Sequence, residues 1–216
     1  MNKPSVTDRL VAARLVGIVR LDDLEQTVAA AEHALSAGLE VVEVTFTLPS
    51  AAKAIERLRR DHPEALIGAG TVRRLTELQD AAAAGAQFLV APGCNPTLVE
   101  AAGRGGLPLI PGIFTASEVD LALGLGAELL KLFPAQPGGP GYLASLLQPF
   151  PEAKLVPTGG VTAANAVAYL NAGAVAVAMG SSLFPARRIA AEGPQVVVTL
   201  VHEALRTLAS LAEEGR

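Results

Sequence analysis

The sequence predicts a single-domain α/β protein folded as a (β/α)₈ (TIM) barrel. Eight short runs rich in Val, Ile and Leu recur at regular spacing, alanine-rich segments of helical period lie between them, and Gly, Pro or Thr repeatedly marks where a run ends. That is the rhythm of parallel strands joined by helical crossovers. Eight such units in 216 residues suit a compact closed barrel better than an open doubly wound sheet.

The runs, in chain order, are RLVGIV (14–19), LEVVEVTF (39–46), ALIGAG (65–70), AQFLVAP (86–92), LPLIPG (107–112), AELLKLF (127–133), AKLVPTGG (153–160) and AVAVAMGS (174–181). A helix is expected over 5–13, before the first strand. LEQTVAAAEHALSAG runs to a glycine stop at Gly38, and TELQDAAAAGA and TAANAVAYLNAGA end the same way. PQVVVTLVHEALRTLASLAEE reads as a closing amphipathic helix over 194–214. The segments PEALIGAGTV (63–72) and PEAKLVPTGGVT (151–162) resemble each other and hint at a half-barrel repeat. No linker or low-complexity stretch divides the chain, so residues 1–216 are read as one domain.

Half the residues are hydrophobic and the formal net charge is −4. Without a basic excess or an aromatic-interleaved basic stripe, neither a nucleic acid nor an anionic membrane is an expected partner, and a small-molecule ligand is. Cys94 is the only cysteine, which excludes an internal disulfide and fits a reducing compartment. Pro4, Asp8 and Arg9 interrupt the N-terminus before an apolar core of signal-peptide length accumulates, and no later run is long enough to span a bilayer. A cytoplasmic protein is expected.

In such barrels chemistry sits where the strands end at their C-terminal edge. The polar residues placed there are Arg20 after the first strand, Glu43, Thr45 and Thr47 along the second, Thr71 after the third and Lys131 in the sixth. Thr158, Gly159 and Gly160 follow the seventh, and Gly180, Ser181 and Ser182 the eighth.

Lys131 has two readings. Its stem is buried and its amine snorkels to water at the barrel mouth, or it is a Schiff-base lysine, desolvated among Leu130, Leu132 and Phe133 and so a nucleophile near neutral pH. Elimination favours the second, because the other lysines, Lys3, Lys53 and Lys154, fall on the N-terminal tail, a polar helix face and the opening edge of the seventh strand. Glu43, flanked by valines, is likewise either a structural ion-pair partner of Arg20 or Lys131, or a general base raised toward neutrality by apolar walls. Glycines in PTGGV and MGSS each suit a tight strand-to-helix turn, but as neighbouring loops they favour a phosphate or carboxylate site built from backbone amides. His33, His62 and His202 lie in helical or helix-end segments, and no cluster has metal-ligand spacing. Neither a metal nor another cofactor is expected.

In order and spacing, EVTF, GAGTV, APG, PLIPGIFT, KLFPA and VPTGGV resemble the 2-keto-3-deoxy-6-phosphogluconate (KDPG) and 4-hydroxy-2-oxoglutarate (KHG) aldolases over roughly residues 10–185. The resemblance implies a metal-free class I aldolase that releases pyruvate and glyceraldehyde 3-phosphate from KDPG. It implies that Lys131 forms the Schiff base and Glu43 shuttles protons. Thr71 and Thr158 would hold the pyruvate unit with Phe133 packed on it, and Gly159, Gly160 and Ser181 would contact the phosphate. Thr47, Pro92 and Gly180 are included as substrate contacts. Such enzymes are typically trimers. One position departs from the pattern: many relatives carry arginine where this chain has Thr47, and Arg20 is the candidate to supply that charge bidentately. Activity on the galactonate epimer or on KHG stays open. So do a different phosphate-binding barrel enzyme, with Lys131 incidental, and a non-catalytic sugar-phosphate-binding barrel in which Lys131 and Glu43 form only an ion pair.

Overall fold

A computed structural model describes residues 4–214, and within them strands and helices alternate as the periodicity requires. Helix α1 (Val6–Ala13) comes first, with Ser5 as its N-cap accepting a hydrogen bond from the Asp8 N–H. There follow β1 (Leu15–Val19), α2 (Leu24–Ser36), β2 (Val41–Thr45), α3 (Ala51–Asp61), β3 (Leu66–Gly70), α4 (Leu75–Ala83), β4 (Leu89–Val90), α5 (Pro96–Arg104), β5 (Leu109–Ile110) and β6 (Gly112–Ile113). The chain continues through α6 (Ala116–Gly124), β7 (Leu130–Leu132), α7 (Gly139–Leu147), β8 (Leu155–Pro157), α8 (Ala163–Asn171), β9 (Val177–Met179), α9 (Ala186–Glu192) and α10 (Val196–Glu214).

All strand pairs are parallel. They form a curled six-stranded sheet in the order β5-β4-β3-β2-β1-β9 and a three-stranded sheet in the order β6-β7-β8. An isolated parallel bridge between Thr158 and Ala178 links the two.

Several strands are shorter than the apolar runs that predict them, two of them for identifiable reasons. The run 107–112 is cut in two because Pro111 has no N–H for a ladder, although its carbonyl still accepts from the Lys131 N–H at 2.9 Å. The run 86–92 contains only a two-residue strand, yet the Gln87 N–H donates to Ile67 O and the Ala91 N–H to Ile110 O, so the segment stays tied to both neighbours. Helix α9 was not expected; it is one short amphipathic segment with a single buried residue, Ile189, ended by Gly193 at φ 92°. Helix α10 consequently begins at Val196 rather than at residue 194.

The core has two shells, which follow from the period-2 alternation of strand side chains. Val16, Ile18, Val41, Leu66, Leu129, Val156, Ala176 and Ala178 point into the hollow of the curled sheets, where Phe88, Val90 and Ile110 join them. Leu15, Val19, Val42, Val44, Ile67, Leu130, Leu132 and Leu155 point outward and pack under the helices. Leu10 of α1 belongs to the inner shell and packs among those side chains. Among the described residues no helix is long and apolar enough to cross a membrane.

Candidate active site

The same alternation places the candidate chemistry. Leu129 faces the hollow and Leu130 and Leu132 face the helices, so Lys131 is turned inward, at 4% exposure. On β2, Val41 faces the hollow and Val42 and Val44 do not, so Glu43 points inward too, at 1% exposure. The Lys131 Nζ lies 3.9 Å from Glu43 Oε1, an ion pair rather than a hydrogen bond, and 5.2 Å from the centre of the Phe133 ring. Both groups border a small recess with Val16, Phe88 and Thr158.

Space for this carboxylate comes from β3. A Cβ on Gly70 would lie 1.9 Å from Glu43 Oε1, and one on Gly68 would lie 2.4 Å from the Phe88 ring, so each glycine leaves room for a larger inward neighbour. Glu43 Oε1 is buried without a hydrogen-bond partner among the described residues. Burial therefore pushes the Glu43 carboxyl above the ordinary glutamate range, against the weaker opposing pull of the Lys131 and Arg20 charges. A buried, charge-facing acid with an unsatisfied oxygen is a candidate functional group.

Above this pair opens a cavity of about 350 Å³. Of the residues expected at a site, Arg20, Lys131, Phe133, Thr158, Gly159, Gly160, Gly180 and Ser181 line it. Arg20 donates to Thr71 Oγ1 at 3.3 Å and so draws Thr71 to the same rim. Thr71 is held at φ 58°, a backbone conformation that costs a β-branched residue about 1–3 kcal/mol and that clusters at functional positions. Gly159 and Gly160 adopt φ 87° and 81° in succession. A side chain at Gly160 would collide with Gln136, and one at Gly159 would crowd Phe133.

Two expected residues stand apart. Thr47 is exposed at the end of β2, does not line the cavity, and shares a 2.8 Å hydrogen bond with Thr45 Oγ1. Pro92 lines a neighbouring cleft with Val72, Arg73 and Cys94 instead. The cavity wall also contains Ile18 and Phe184, which the sequence reading does not single out, since an apolar residue near a strand end carries no chemical signal of its own. Among the described residues no three His, Cys, Asp or Glu side chains converge as a metal site would require.

The arrangement provides a buried amine, an adjacent carboxyl, a rim guanidinium and a glycine-rich wall, a set that suits carbonyl chemistry on an anionic substrate. Comparison with known proteins points the same way. The family model described as "Aldolase: KDPG and KHG aldolase" matches residues 6–200. The chain is 36% identical over 203 residues to the 2-dehydro-3-deoxy-phosphogluconate aldolase of Treponema pallidum (strain Nichols), covering 94% of this chain and 97% of that protein. It is 36% identical over 204 residues to the KHG/KDPG aldolase of Escherichia coli (strain K12), covering 94% and 96%. A crystal structure of KDPG aldolase from Legionella pneumophila, with pyruvate captured at low pH as a covalent carbinolamine intermediate, superposes with a TM-score of 0.84 at 35% identity, covering 90% of this chain and 96% of that one.

Proposed function

This chain belongs to the KDPG and KHG aldolase family, and from that premise we propose that it is a class I aldolase cleaving 2-dehydro-3-deoxy-6-phosphogluconate to pyruvate and D-glyceraldehyde 3-phosphate. The observation that carries the reading is the buried Lys131–Glu43 pair beneath a cavity with a glycine-rich wall. The neutral Lys131 amine adds to the 2-keto carbon; the carbinolamine hydroxyl, protonated from solvent, leaves as water and a protonated imine remains. Glu43 takes the proton of the C4 hydroxyl as the C3–C4 bond breaks; the bonding pair moves into the enamine, and glyceraldehyde 3-phosphate leaves. Protonation of the enamine carbon by Glu43 regenerates the imine, now of pyruvate, and water releases it. The protonated imine is the electron sink, so the proposed mechanism uses neither a metal nor another cofactor.

Trapping tests this directly. Borohydride reduction in the presence of pyruvate should leave a reduced pyruvyl adduct on Lys131, read by intact mass and peptide mapping. An unmodified protein would remove the Schiff-base reading.

Arg20 is assigned to a substrate anion, the carboxylate in the first instance, because it is a cavity-lining cation and Thr47 carries no charge. Arg20→Ala should raise KM and lower kcat/KM by about tenfold to a hundredfold, the scale of one charge-assisted hydrogen bond, with kcat little changed. A fall in kcat at constant KM would assign Arg20 to the chemical step instead.

The raised Glu43 carboxyl makes a pH prediction of definite sign. Its proton is retained at pH values where an exposed glutamate is ionised, so the base is lost early on acidification. The acid limb of the pyruvate-exchange rate should lie above the ordinary glutamate range and be absent in Glu43→Gln. Stability follows the opposite sense: this group's contribution is complete below the ordinary glutamate value and falls as pH rises through the raised one.

With the same reading we propose one domain from α1 to α10, its two sheets forming a single closed (β/α)₈ ring. In support, only Pro111 separates β5 from β6, and the Thr158–Ala178 bridge spans β8 and β9. A homotrimeric assembly, checked by sedimentation mass, and a cytoplasmic location are proposed with it.

A further inference from the structure

Three successive carbonyls of the loop after β8 are each held by a donor from a different element. The Gln136 N–H donates to Gly159 O at 3.0 Å, Asn165 Nδ2 on α8 donates to Gly160 O at 3.0 Å, and Ser182 Oγ, after β9, donates to Val161 O at 2.8 Å. In a planar trans peptide the C=O and the following N–H point in opposite directions. Each clamp therefore also fixes an amide, those of Gly160, Val161 and Thr162 in turn. The Thr162 N–H is turned back to Asn165 and donates to its Oδ1 at 2.8 Å. The N–H groups of Gly160 and Val161 have no protein acceptor among the described residues, and both residues line the mouth cavity.

We propose that Asn165, assisted by Ser182, is a positioning residue that aims the Val161 amide at the phosphate of the substrate. The proposal rests on the aldolase reading above. Amides stabilise an anion best when they converge before it arrives, because reorientation on binding is subtracted from affinity. Gly159 and Gly160, both at positive φ, confer no stiffness of their own. Holding the carbonyls supplies stiffness and leaves the amides free. Ser182 lines the cavity, yet its hydroxyl is committed to Val161 O and ties the two glycine loops together. Asn165 makes both of its bonds with one amide group, carbonyl to an N–H and NH₂ to a C=O. A carboxylate of the same size only accepts and could not do both.

The test compares Asn165→Ala, Ser182→Ala and Ser182→Thr with the wild type on 2-dehydro-3-deoxy-6-phosphogluconate and on its unphosphorylated counterpart. Thermal midpoints and deuterium exchange of the pyruvate methyl protons are measured alongside. Each alanine variant should raise KM for the phosphorylated substrate about threefold to tenfold, the scale of one hydrogen bond. Inhibition by inorganic phosphate should weaken in proportion, while KM for the unphosphorylated substrate and pyruvate exchange stay at wild-type values. Ser182→Thr, which keeps the donor, should restore tight binding. Equal losses on both substrates, or an unchanged preference between them, would overturn the proposal and make these side chains merely structural. A wild type with no preference for the phosphorylated substrate would overturn it together with the phosphate reading of the loops, whereas borohydride trapping reports on the Schiff base independently.

Discussion

Lys131→Arg should abolish aldol cleavage and borohydride trapping while the protein stays folded. A guanidinium keeps the positive charge opposite Glu43, so the ion pair is not left as a lone buried carboxylate. It cannot, however, lose a proton near neutral pH and cannot form the imine. The loss in kcat should be on the order of 10⁴- to 10⁶-fold, the scale on which removal of a covalent nucleophile is felt. The measurement is kcat by coupled detection of pyruvate, with circular dichroism to verify the fold. The contrast with Lys131→Ala is informative in stability as well. Without its cation, Glu43 loses the leading charge that opposes the effect of burial, so its carboxyl should rise further, and the variant should be least stable at alkaline pH. Turnover by either variant would assign the chemistry to another group.

Glu43→Gln should retain substrate affinity and lose turnover by about 10²- to 10⁴-fold, the usual worth of a positioned general base. Glutamine fills the same space under Gly70, where a Cβ would already collide with the carboxylate, so packing is preserved and only the proton acceptor is removed. Exchange of pyruvate methyl protons with deuterium, followed by NMR, isolates this step from aldehyde binding. Exchange at the wild-type rate in Glu43→Gln would return Glu43 to the role of structural partner for Lys131. The two variants also separate from each other: Lys131→Arg should fail to trap pyruvate, and Glu43→Gln should trap it and fail to exchange it.

Much of this was legible from local pattern. The alternation of Val, Ile and Leu runs with alanine-rich segments specifies strands and helices because each element must bury one face, and that pattern is written residue by residue. A lysine and a glutamate inside apolar strands also stand out without any structure, since an ionised group there is costly unless it is paired or used. The inward direction of Lys131 and Glu43 was not legible in this way, since strands apolar on both faces carry no alternation that marks one face as inner.

What the sequence could not state is which strands meet across the hollow. Glu43 lies on β2 and Lys131 on β7, in different sheets and not paired by any ladder, so their 3.9 Å approach arises only when the sheets curl around a shared interior. The exclusion of Thr47 and Pro92 from the cavity has the same origin: side chains at neighbouring strand ends can point into one hollow or past it, according to twist and turn geometry that no short motif encodes. The carbonyl clamps by Asn165 and Ser182 join an α8 side chain and a loop after β9 to the loop after β8. By itself the sequence determined the α/β class, parallel strands joined by helices, and the candidate chemical groups, through periodicity and the cost of buried charge. The tertiary structure alone decided their partners, because contacts between residues distant in the chain depend on how the two sheets curl against each other.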